Sequence, residues 1–277
     1  KVLTNAVILG CGYVGRSLAP RWRQTMTVTA TTTTVERLTE LQTLADYAVV
    51  VNGNDDAAVR SLLQNQQVVL LSVGAPNPNA YEETYLNTAK TLVAALKESP
   101  SVQQVIYTSS YAVYGDRGGE WVDETTPVVP LNPKAEILAE TEQVLLSAAN
   151  DSLKVCVLRL GGIYGAGREL VKFFGRAAGS VRAGTGAEAS NWIHIDDIVG
   201  AIAFAQQHNL SGIYNLVGTV PLTTQELLDR VFTAHNLPLA TWDGSHPSDR
   251  SYNARVSNQK LRDAGYELIY PEIQETL

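Results

Sequence analysis

The chain has 277 residues, of which 45% are hydrophobic and 18% are charged, with a mean hydropathy of −0.05. This composition is typical of one large or two joined globular domains and excludes a mainly disordered chain. The 21 Lys and Arg residues against 28 Asp and Glu residues give a net charge of −7, and no uncharged apolar run approaches the length of a membrane span. We therefore expect neither nucleic acid nor a membrane as a partner.

The N-terminus and the cysteines favour a cytoplasmic protein. The first residues lack the charged segment and long apolar run of a signal peptide. Cys11 and Cys156 are too few for a disulfide framework or a Cys-based zinc site. The four histidines show no metal-ligand spacing, so we also expect no metal.

Short apolar runs alternate with amphipathic stretches over the first 160 residues. The predicted strands are 6–9, 27–30, 47–51, 68–73, 104–108 and 154–160, and the predicted helices after the first are 35–44, 55–63, 85–97 and 136–149. Because the runs are apolar at consecutive positions, we expect strands that are covered on both faces. The alternation predicts an α/β protein with a Rossmann doubly wound parallel sheet.

Beyond Leu160 the pattern loosens. The segment 161–186 is rich in glycine and reads as loop around one short helix, followed by a helix at 198–207, a strand at 213–217 and a helix at 223–235. We therefore predict a Rossmann domain at 1–160 and a smaller α/β lobe at 161–277, which would bind substrate. Ligands of open α/β sheets bind at the carboxyl edge of the strands.

A Gly-x-Gly-x-x-Gly motif lies between the first predicted strand and a helix. Gly10 permits a tight turn, Gly12 lets the backbone approach a pyrophosphate, and Gly15 lets the helix pack on the strand. The helix N-terminus adds N–H donors and a partial positive charge. The predicted dinucleotide-binding loop comprises Gly10, Cys11, Gly12, Tyr13, Val14 and Gly15.

The end of the second strand indicates which dinucleotide binds. Thr31, Thr32 and the two threonines that follow stand where NAD-specific proteins carry an acid for the ribose 2′-hydroxyl. Without a carboxylate, and with Arg16 and Arg37 near in sequence, the 2′-phosphate of NADP is tolerated. This favours NADP(H) and leaves NAD(H) open, since both arginines also suit a solvated helix.

Several later motifs resemble one known family. They are 107–115 (Tyr-Thr-Ser-Ser-Tyr-Ala-Val-Tyr-Gly), 159–165 (Arg-Leu-Gly-Gly-Ile-Tyr-Gly), 192–197 (Trp-Ile-His-Ile-Asp-Asp) and 214–215 (Tyr-Asn). With the glycine loop, in this order, they resemble the NAD(P)-dependent epimerase/dehydratase proteins of the extended short-chain dehydrogenase/reductase superfamily. The resemblance implies a nucleotide in the N-terminal lobe and a small-molecule substrate.

The resemblance also implies roles for single residues. Asn54 stands where the family commonly has an Asp near the adenine. Ser72, Val73 and Gly74 follow the fourth strand and should line the ribose and nicotinamide side. Ser110, four residues before Tyr114, matches the catalytic Ser that hydrogen-bonds the substrate oxygen.

One departure from the family affects catalysis. The family's Tyr-x-x-x-Lys, whose Tyr transfers the proton, is replaced by Lys134 and Leu138. Tyr111, Tyr114 or Tyr164 would have to supply another phenol. The chain therefore reads as an atypical oxidoreductase or epimerase/dehydratase-like protein, with a non-catalytic NAD(P)-binding sensor as the alternative.

Further residues have both functional and structural interpretations. Cys11 is either a redox-sensitive thiol or only a small residue of the loop. Asp196 or Asp197 is expected to cap the helix at Ile198, with His194 packed beside it. Four arginines could bind an anionic group of the substrate: Arg159, Arg168, Arg176 and Arg255. A single arginine is more often only a surface charge. The expected assembly is a homodimer.

Overall fold

The computed structural model describes residues 3–246 and 252–277. The strands are β1 Asn5–Leu9, β2 Thr27–Thr32, β3 Tyr47–Val50, β4 Val68–Leu71, β5 Gln104–Ser110, β6 Trp121–Val122, β7 Lys154–Leu160, β8 Gly162–Tyr164, β9 Val181–Arg182, β10 Ala189–Ser190, β11 Trp192–His194, β12 Gly212–Leu216, β13 Leu222–Thr223, β14 Thr241–Trp242 and β15 Arg255–Val256. The helices are α1 Tyr13–Arg23, α2 Leu38–Leu44, α3 Asp56–Leu63, α4 Thr88–Leu96, α5 Pro133–Leu146, α6 Leu170–Phe174, α7 Ile195–Gln207, α8 Thr224–Ala234 and α9 Gln259–Asp263.

Seven strands form one sheet in the order β12-β7-β5-β4-β1-β2-β3. β1 pairs in parallel with β2 and β4, which places the glycine motif after the central strand. The order reverses on the two sides of β1, which is the doubly wound arrangement. The predicted α/β class with a Rossmann parallel sheet is confirmed.

The expectation that every strand is covered on both faces is wrong for β3. This strand lies at the edge of the sheet, and Tyr47, Val49 and Val50 are exposed. Its apolar run looks like that of the central strands, but position in the sheet decides burial. β4 has a similar sequence and is fully buried because β1 and β5 flank it.

Most predicted helices form, with shifted ends. The predicted helix 35–44 begins with the 3₁₀ turn Val35–Arg37, and the helix 85–97 begins inside the π-helical segment Glu82–Asn87. Thr223 caps α8: its hydroxyl accepts the N–H of Glu226, whose carboxylate accepts the N–H of Thr223. This capping box begins the helix that the sequence predicts at 223–235.

Two compact units interleave along the chain. The first comprises Lys1–Ser109, Glu136–Leu158 and Val199–Ile213, and the second comprises Ser110–Ala135, Arg159–Ile198 and Tyr214–Leu277. Within the first unit, Gln104 Nε2 donates to the carbonyl of Ala205 at 2.9 Å, which fastens α7 to β5. Each unit contains residues from both sides of the predicted boundary at residue 160. The assignment of functions to 1–160 and 161–277 stays a prediction.

Candidate functional site

The glycines of the loop differ in the space around them. Gly10 has a φ of +93°, and a Cβ there would stand 2.7 Å from the Ser72 carbonyl, so only glycine fits. At Gly12 no described atom lies within 4 Å of where a Cβ would stand. The loop therefore offers free space beside Gly12, at the start of α1.

Thr31 fixes the shape of this loop from β2. Its hydroxyl donates to the Ile8 carbonyl at 2.9 Å and accepts the N–H of Gly10 at 3.2 Å. The Thr31 carbonyl also accepts the N–H of Cys11 at 3.3 Å. The Thr31 side chain is buried, and its hydroxyl is used by these two hydrogen bonds to the backbone. Thr33 and Thr34 are exposed.

Arg37 lies against the same loop. Its Nη2 donates to the Cys11 carbonyl at 2.7 Å, and its Nε lies 3.7 Å from Glu40 Oε2. Arg16 pairs with the other oxygen of Glu40 at 3.2 Å and is exposed. Of the two arginines that the sequence suggested, only Arg37 lines the cavity described next.

A cavity of about 450 Å³ lies at the carboxyl ends of β1, β2 and β4, within the first unit. The predicted site residues that line it are Gly10, Cys11, Gly12, Thr31, Thr32, Asn54, Ser72, Val73 and Gly74. Tyr13, Val14 and Gly15 lie outside the lining, on the first turn of α1. Gly15 lies close to β1, since a Cβ there would meet Ile8 Cγ2 at 3.0 Å.

One wall of the cavity was not predicted from the sequence. It is formed by Pro76, Ala80, Glu83, Thr84 and Thr88. The Glu83 carbonyl accepts hydrogen bonds from Asn54 Nδ2 and Thr88 Oγ1, each at 3.3 Å. The π-helical turn Glu82–Asn87 places Glu83 and Thr84, and π-helical turns are frequent at functional sites. No motif in the sequence announces such a turn.

The Cys11 thiol is not activated. Burial raises its pKa to about 11, which outweighs the opposing effect of Arg37 and Arg16. A reactive thiol needs a depressed pKa, because the thiolate is the nucleophile. Its side chain is buried in the loop, which fits the structural interpretation of this residue.

Ser110 lies in the second unit, at the end of β5. Its oxygen accepts the N–H of Ala112 at 3.1 Å and caps the 3₁₀ turn Tyr111–Tyr114. The side chain is half-buried, so it stays accessible. The turn thereby fixes the direction of the hydroxyl.

The three tyrosines considered as replacement proton donors are buried. Tyr114 donates to Asn215 Oδ1 at 2.8 Å, and burial raises its pKa. Tyr164 accepts the N–H of Gln274, and burial raises its pKa to about 12. Tyr111 packs edge-on against Tyr252. The exposed fraction is 7% for Tyr111, 0% for Tyr114 and 2% for Tyr164.

Helix α5, on which the resemblance places the family's Tyr-x-x-x-Lys, carries other side chains at the two expected positions. Lys134, in the first turn of α5, is exposed, and Leu138 is half-buried. Glu142, further along α5, is fully buried and accepts the Ser109 hydroxyl at 2.5 Å. This bond joins α5 to β5 inside the first unit.

The predicted capping of α7 by Asp196 or Asp197 is wrong. The helix begins at Ile195, and His194 Nδ1 accepts the N–H of Asp196 at 3.0 Å. Asp197 is buried and accepts hydrogen bonds from the hydroxyl of Tyr266 and the N–H groups of Ile269 and Tyr270. The carboxylate therefore anchors the C-terminal segment instead.

The candidate arginines of the second unit differ in surroundings. Arg159 is buried with its guanidinium over the Tyr114 ring at 4.9 Å, and Arg168 lies over Phe173 at 5.2 Å. Arg255 is exposed and lines a second cavity of about 510 Å³, together with the exposed Trp121 and the apolar run 220–222. Arg255 is therefore the candidate with space for a ligand.

Among the described residues, no group of three or more His, Cys, Asp or Glu side chains is arranged to hold a metal ion. No helix in residues 3–246 or 252–277 is long and apolar enough to cross a membrane.

Comparison with known proteins identifies the family. Residues 6–217 match the NAD dependent epimerase/dehydratase family, and the chain belongs to it. Protein YeeZ of Escherichia coli strain K12 is 30% identical over 226 residues, which cover 77% of this chain and 77% of YeeZ.

Solved structures share the fold. A functionally unknown conserved protein from Silicibacter pomeroyi has a TM-score of 0.75 at 25% identity, covering 97% of this chain and 95% of that chain. The dTDP-glucose 4,6-dehydratase of Bacillus anthracis, in complex with NAD, has a TM-score of 0.78 at 19% identity, covering 96% and 92%. At such identity the second likeness concerns the fold alone.

Proposed function

We propose that this member of the NAD dependent epimerase/dehydratase family binds NADP(H) or NAD(H) in the cavity of the first unit and acts as an atypical oxidoreductase or epimerase/dehydratase. The observation that carries the proposal is the free space at Gly12, beside the N-terminus of α1. Gly74, on the same cavity, also leaves open the space a Cβ would fill. The cavity volume lies within the range of known cofactor sites.

The residues present fit a dinucleotide. The N–H groups at the start of α1 would hold the pyrophosphate, since among the described residues no side chain caps that helix and its first turn has no acid. Asn54 and the wall at Glu83 would border the adenine, and Ser72 to Gly74 the nicotinamide ribose. When bound, the cofactor supplies hydride transfer at its nicotinamide.

Arg37 supports a preference for NADP(H). Its guanidinium is fixed over the loop by the Cys11 carbonyl, on the cavity wall that Thr33 and Thr34 also line. An arginine can bind a phosphate through several charge-assisted hydrogen bonds. No acid at 31–34 repels the 2′-phosphate.

The chemical step would rely on Ser110 as the anchor of the substrate oxygen. A serine hydroxyl orients a carbonyl or alcohol but does not supply a proton at neutral pH. General acid–base catalysis is worth roughly 10²–10⁴ in rate, so the loss of the family's Tyr should leave turnover slow. The raised pKa of Tyr114 and of Tyr164 makes both poor substitutes.

The substrate would be a small molecule with an anionic group. Arg255 would bind the anionic group, on a cavity of the second unit that Glu188 and Glu226 also line, and the exposed Trp121 would contact a planar or apolar part of the substrate. We place the protein in the cytoplasm, with no nucleic-acid partner, and as a homodimer.

A second function is favoured by one specific observation. Without Tyr-x-x-x-Lys and with buried tyrosines, the chain would act as a non-catalytic sensor of the NADP(H) or NAD(H) pool. Binding without turnover distinguishes this function from the first. A panel of sugar nucleotides and small carbonyl compounds, assayed by nicotinamide absorbance, separates the two.

Cofactor binding itself is tested at Gly12. Val at this position would project into the free space, so the protein should fold while the pyrophosphate is excluded. Isothermal titration of NADPH and NADH should show binding to the wild type and a loss of at least about tenfold in Gly12→Val. Equal affinity in a folded Gly12→Val protein would remove the cofactor assignment. Gly10→Ala is the contrasting variant, and it should lose stability because its Cβ meets the Ser72 backbone.

A further inference from the structure

The cavity of the second unit is lined by charges of both signs. Arg255 supplies a guanidinium, and Glu188 and Glu226 supply two carboxylates. A ligand with only an anionic group would pair with Arg255 but would also bring its charge toward the two carboxylates, which repel it. We propose that this cavity binds a short ω-amino acid, with its anionic group on Arg255 and its amine on the carboxylates; that this ligand is the substrate rests on the proposed function.

Strands β6 and β15 place a guanidinium and an indole side by side. The two strands pair in parallel with Trp121 and Arg255 as Cα partners, so both side chains lie on the same face of the pair. Both side chains are exposed. In the part of the chain that the structure describes, the Arg255 guanidinium makes no hydrogen bond or ion pair, so its donors are available to an anionic group.

The start of α8 fixes the two carboxylates. Glu226 is exposed, and its Oε1 accepts the Thr223 N–H at 3.1 Å in the capping box. Glu188 is only 7% exposed, and its backbone carbonyl accepts the Thr224 N–H at 2.9 Å. A ligand that covers carboxylates removes water from them, which is costly unless a positive group takes the place of the water. An ammonium group on the ligand supplies that positive charge.

The guanidinium and the carboxylates belong to different elements. Asn253, two residues before Arg255, accepts the Ala189 N–H on its Oδ1 at 2.9 Å, which fastens the segment before β15 to β10. Among the described residues Arg255 forms no ion pair with Glu188 or Glu226, although all three line one cavity. A ligand that reaches both kinds of charge must therefore carry its amine and its anionic group at separate positions.

The rest of the lining suits a short hydrocarbon chain between the two charged groups. Trp121 and the run 220–222 give the cavity an apolar part. The volume of about 510 Å³ lies within the range of small-molecule sites. An ω-amino acid combines these properties, because its amine and its carboxylate stand at the two ends of an apolar chain.

Calorimetric titration with matched compounds tests this inference. ε-Aminocaproate carries both charges, caproate lacks the amine, and hexylamine lacks the carboxylate. The wild type without cofactor should bind ε-aminocaproate at least about tenfold more tightly than caproate or hexylamine. Glycine, whose two charged groups share one carbon, should bind as weakly as caproate. Equal affinity for ε-aminocaproate and caproate, equal affinity for ε-aminocaproate and glycine, or no binding of ε-aminocaproate would overturn the proposal.

Variants that remove single charges identify the contacts. Gln also serves at the third position of a capping box, so Glu226→Gln should keep the fold, as checked by circular dichroism. The double variant Glu188→Gln with Glu226→Gln should bind ε-aminocaproate no more tightly than caproate, and Arg255→Gln should weaken the binding of both compounds about tenfold. Arg176→Gln, at an exposed arginine of the same unit outside the cavity lining, is the control and should change neither affinity. A preference for ε-aminocaproate that survives the loss of both carboxylates would refute the amine site.

NADPH titration of the same wild-type sample separates this inference from the proposed function. Binding of NADPH without a preference for ε-aminocaproate over caproate would overturn this inference alone. A preference for ε-aminocaproate without binding of NADPH would support the ligand class and would remove the cofactor assignment.

Discussion

Replacing Arg37 by Leu should remove most of the preference for NADP(H). The guanidinium uses one N–H on the Cys11 carbonyl at 2.7 Å, and its Nε makes only a long contact of 3.7 Å with Glu40. In our proposal its remaining donors would bind a 2′-phosphate on the cavity wall. The side chain keeps some solvent exposure, which screens the interaction.

The magnitude follows from these contacts. A hydrogen bond to a charged group contributes about 1.5–3 kcal/mol, and partial exposure places the total near the lower end. A loss of about 2 kcal/mol corresponds to a rise of about 30-fold in the Kd for NADPH. NADH has no 2′-phosphate, so its Kd should change by less than about threefold, mainly through the lost bond to the loop.

Fluorescence titration of both nucleotides measures this selectivity directly. Arg16→Leu is the matched control, because Arg16 pairs with the same Glu40 but does not line the cavity. It should leave both affinities nearly unchanged. An equal loss for NADPH and NADH in Arg37→Leu would show that Arg37 only supports the loop, and no loss at all would refute the reasoning.

Three further predictions concern single side chains. Ser110→Ala should lower any measurable turnover by about tenfold while leaving the NADPH affinity within about threefold, and turnover that survives it would place the chemistry elsewhere. His194 accepts the Asp196 N–H, and burial lowers its pKa below the ordinary 6.5. The unfolded chain then binds more protons, so the melting temperature should fall as the pH drops below about 6.5. The fall in melting temperature should be smaller in His194→Gln than in the wild type, and it should be unchanged in His208→Gln. Equal falls in the wild type and both variants would contradict this prediction. With its pKa raised to about 11, Cys11 should resist iodoacetamide at pH 8 in the native state and react after denaturation, and rapid native labelling at Cys11 would disprove this.

The sequence was sufficient for the features that depend on local patterns. Apolar runs located the strands of the sheet, and the Gly-x-Gly-x-x-Gly motif located the loop that lines the cavity. The helix at 223–235 was predicted as well, and its capping box joins two residues only three positions apart. Each of these features depends on neighbours within one element.

Other features depend on which elements meet in space. The run at 47–51 looks like a central strand, and only its place at the end of the sheet order leaves it exposed. Asp197 looks like a helix cap, but its carboxylate is bound by Tyr266 and by backbone N–H groups 72 and 73 residues further along the chain. The sequence does not distinguish Arg16 from Arg37 as a residue near the glycine loop. The packing of the turn 35–37 brings Arg37 to the cavity. Local sequence determines the backbone preference and the polarity pattern of each element. Burial, electrostatic environment and the choice among similar side chains depend on contacts between residues far apart in the chain. Only the tertiary structure decides these contacts.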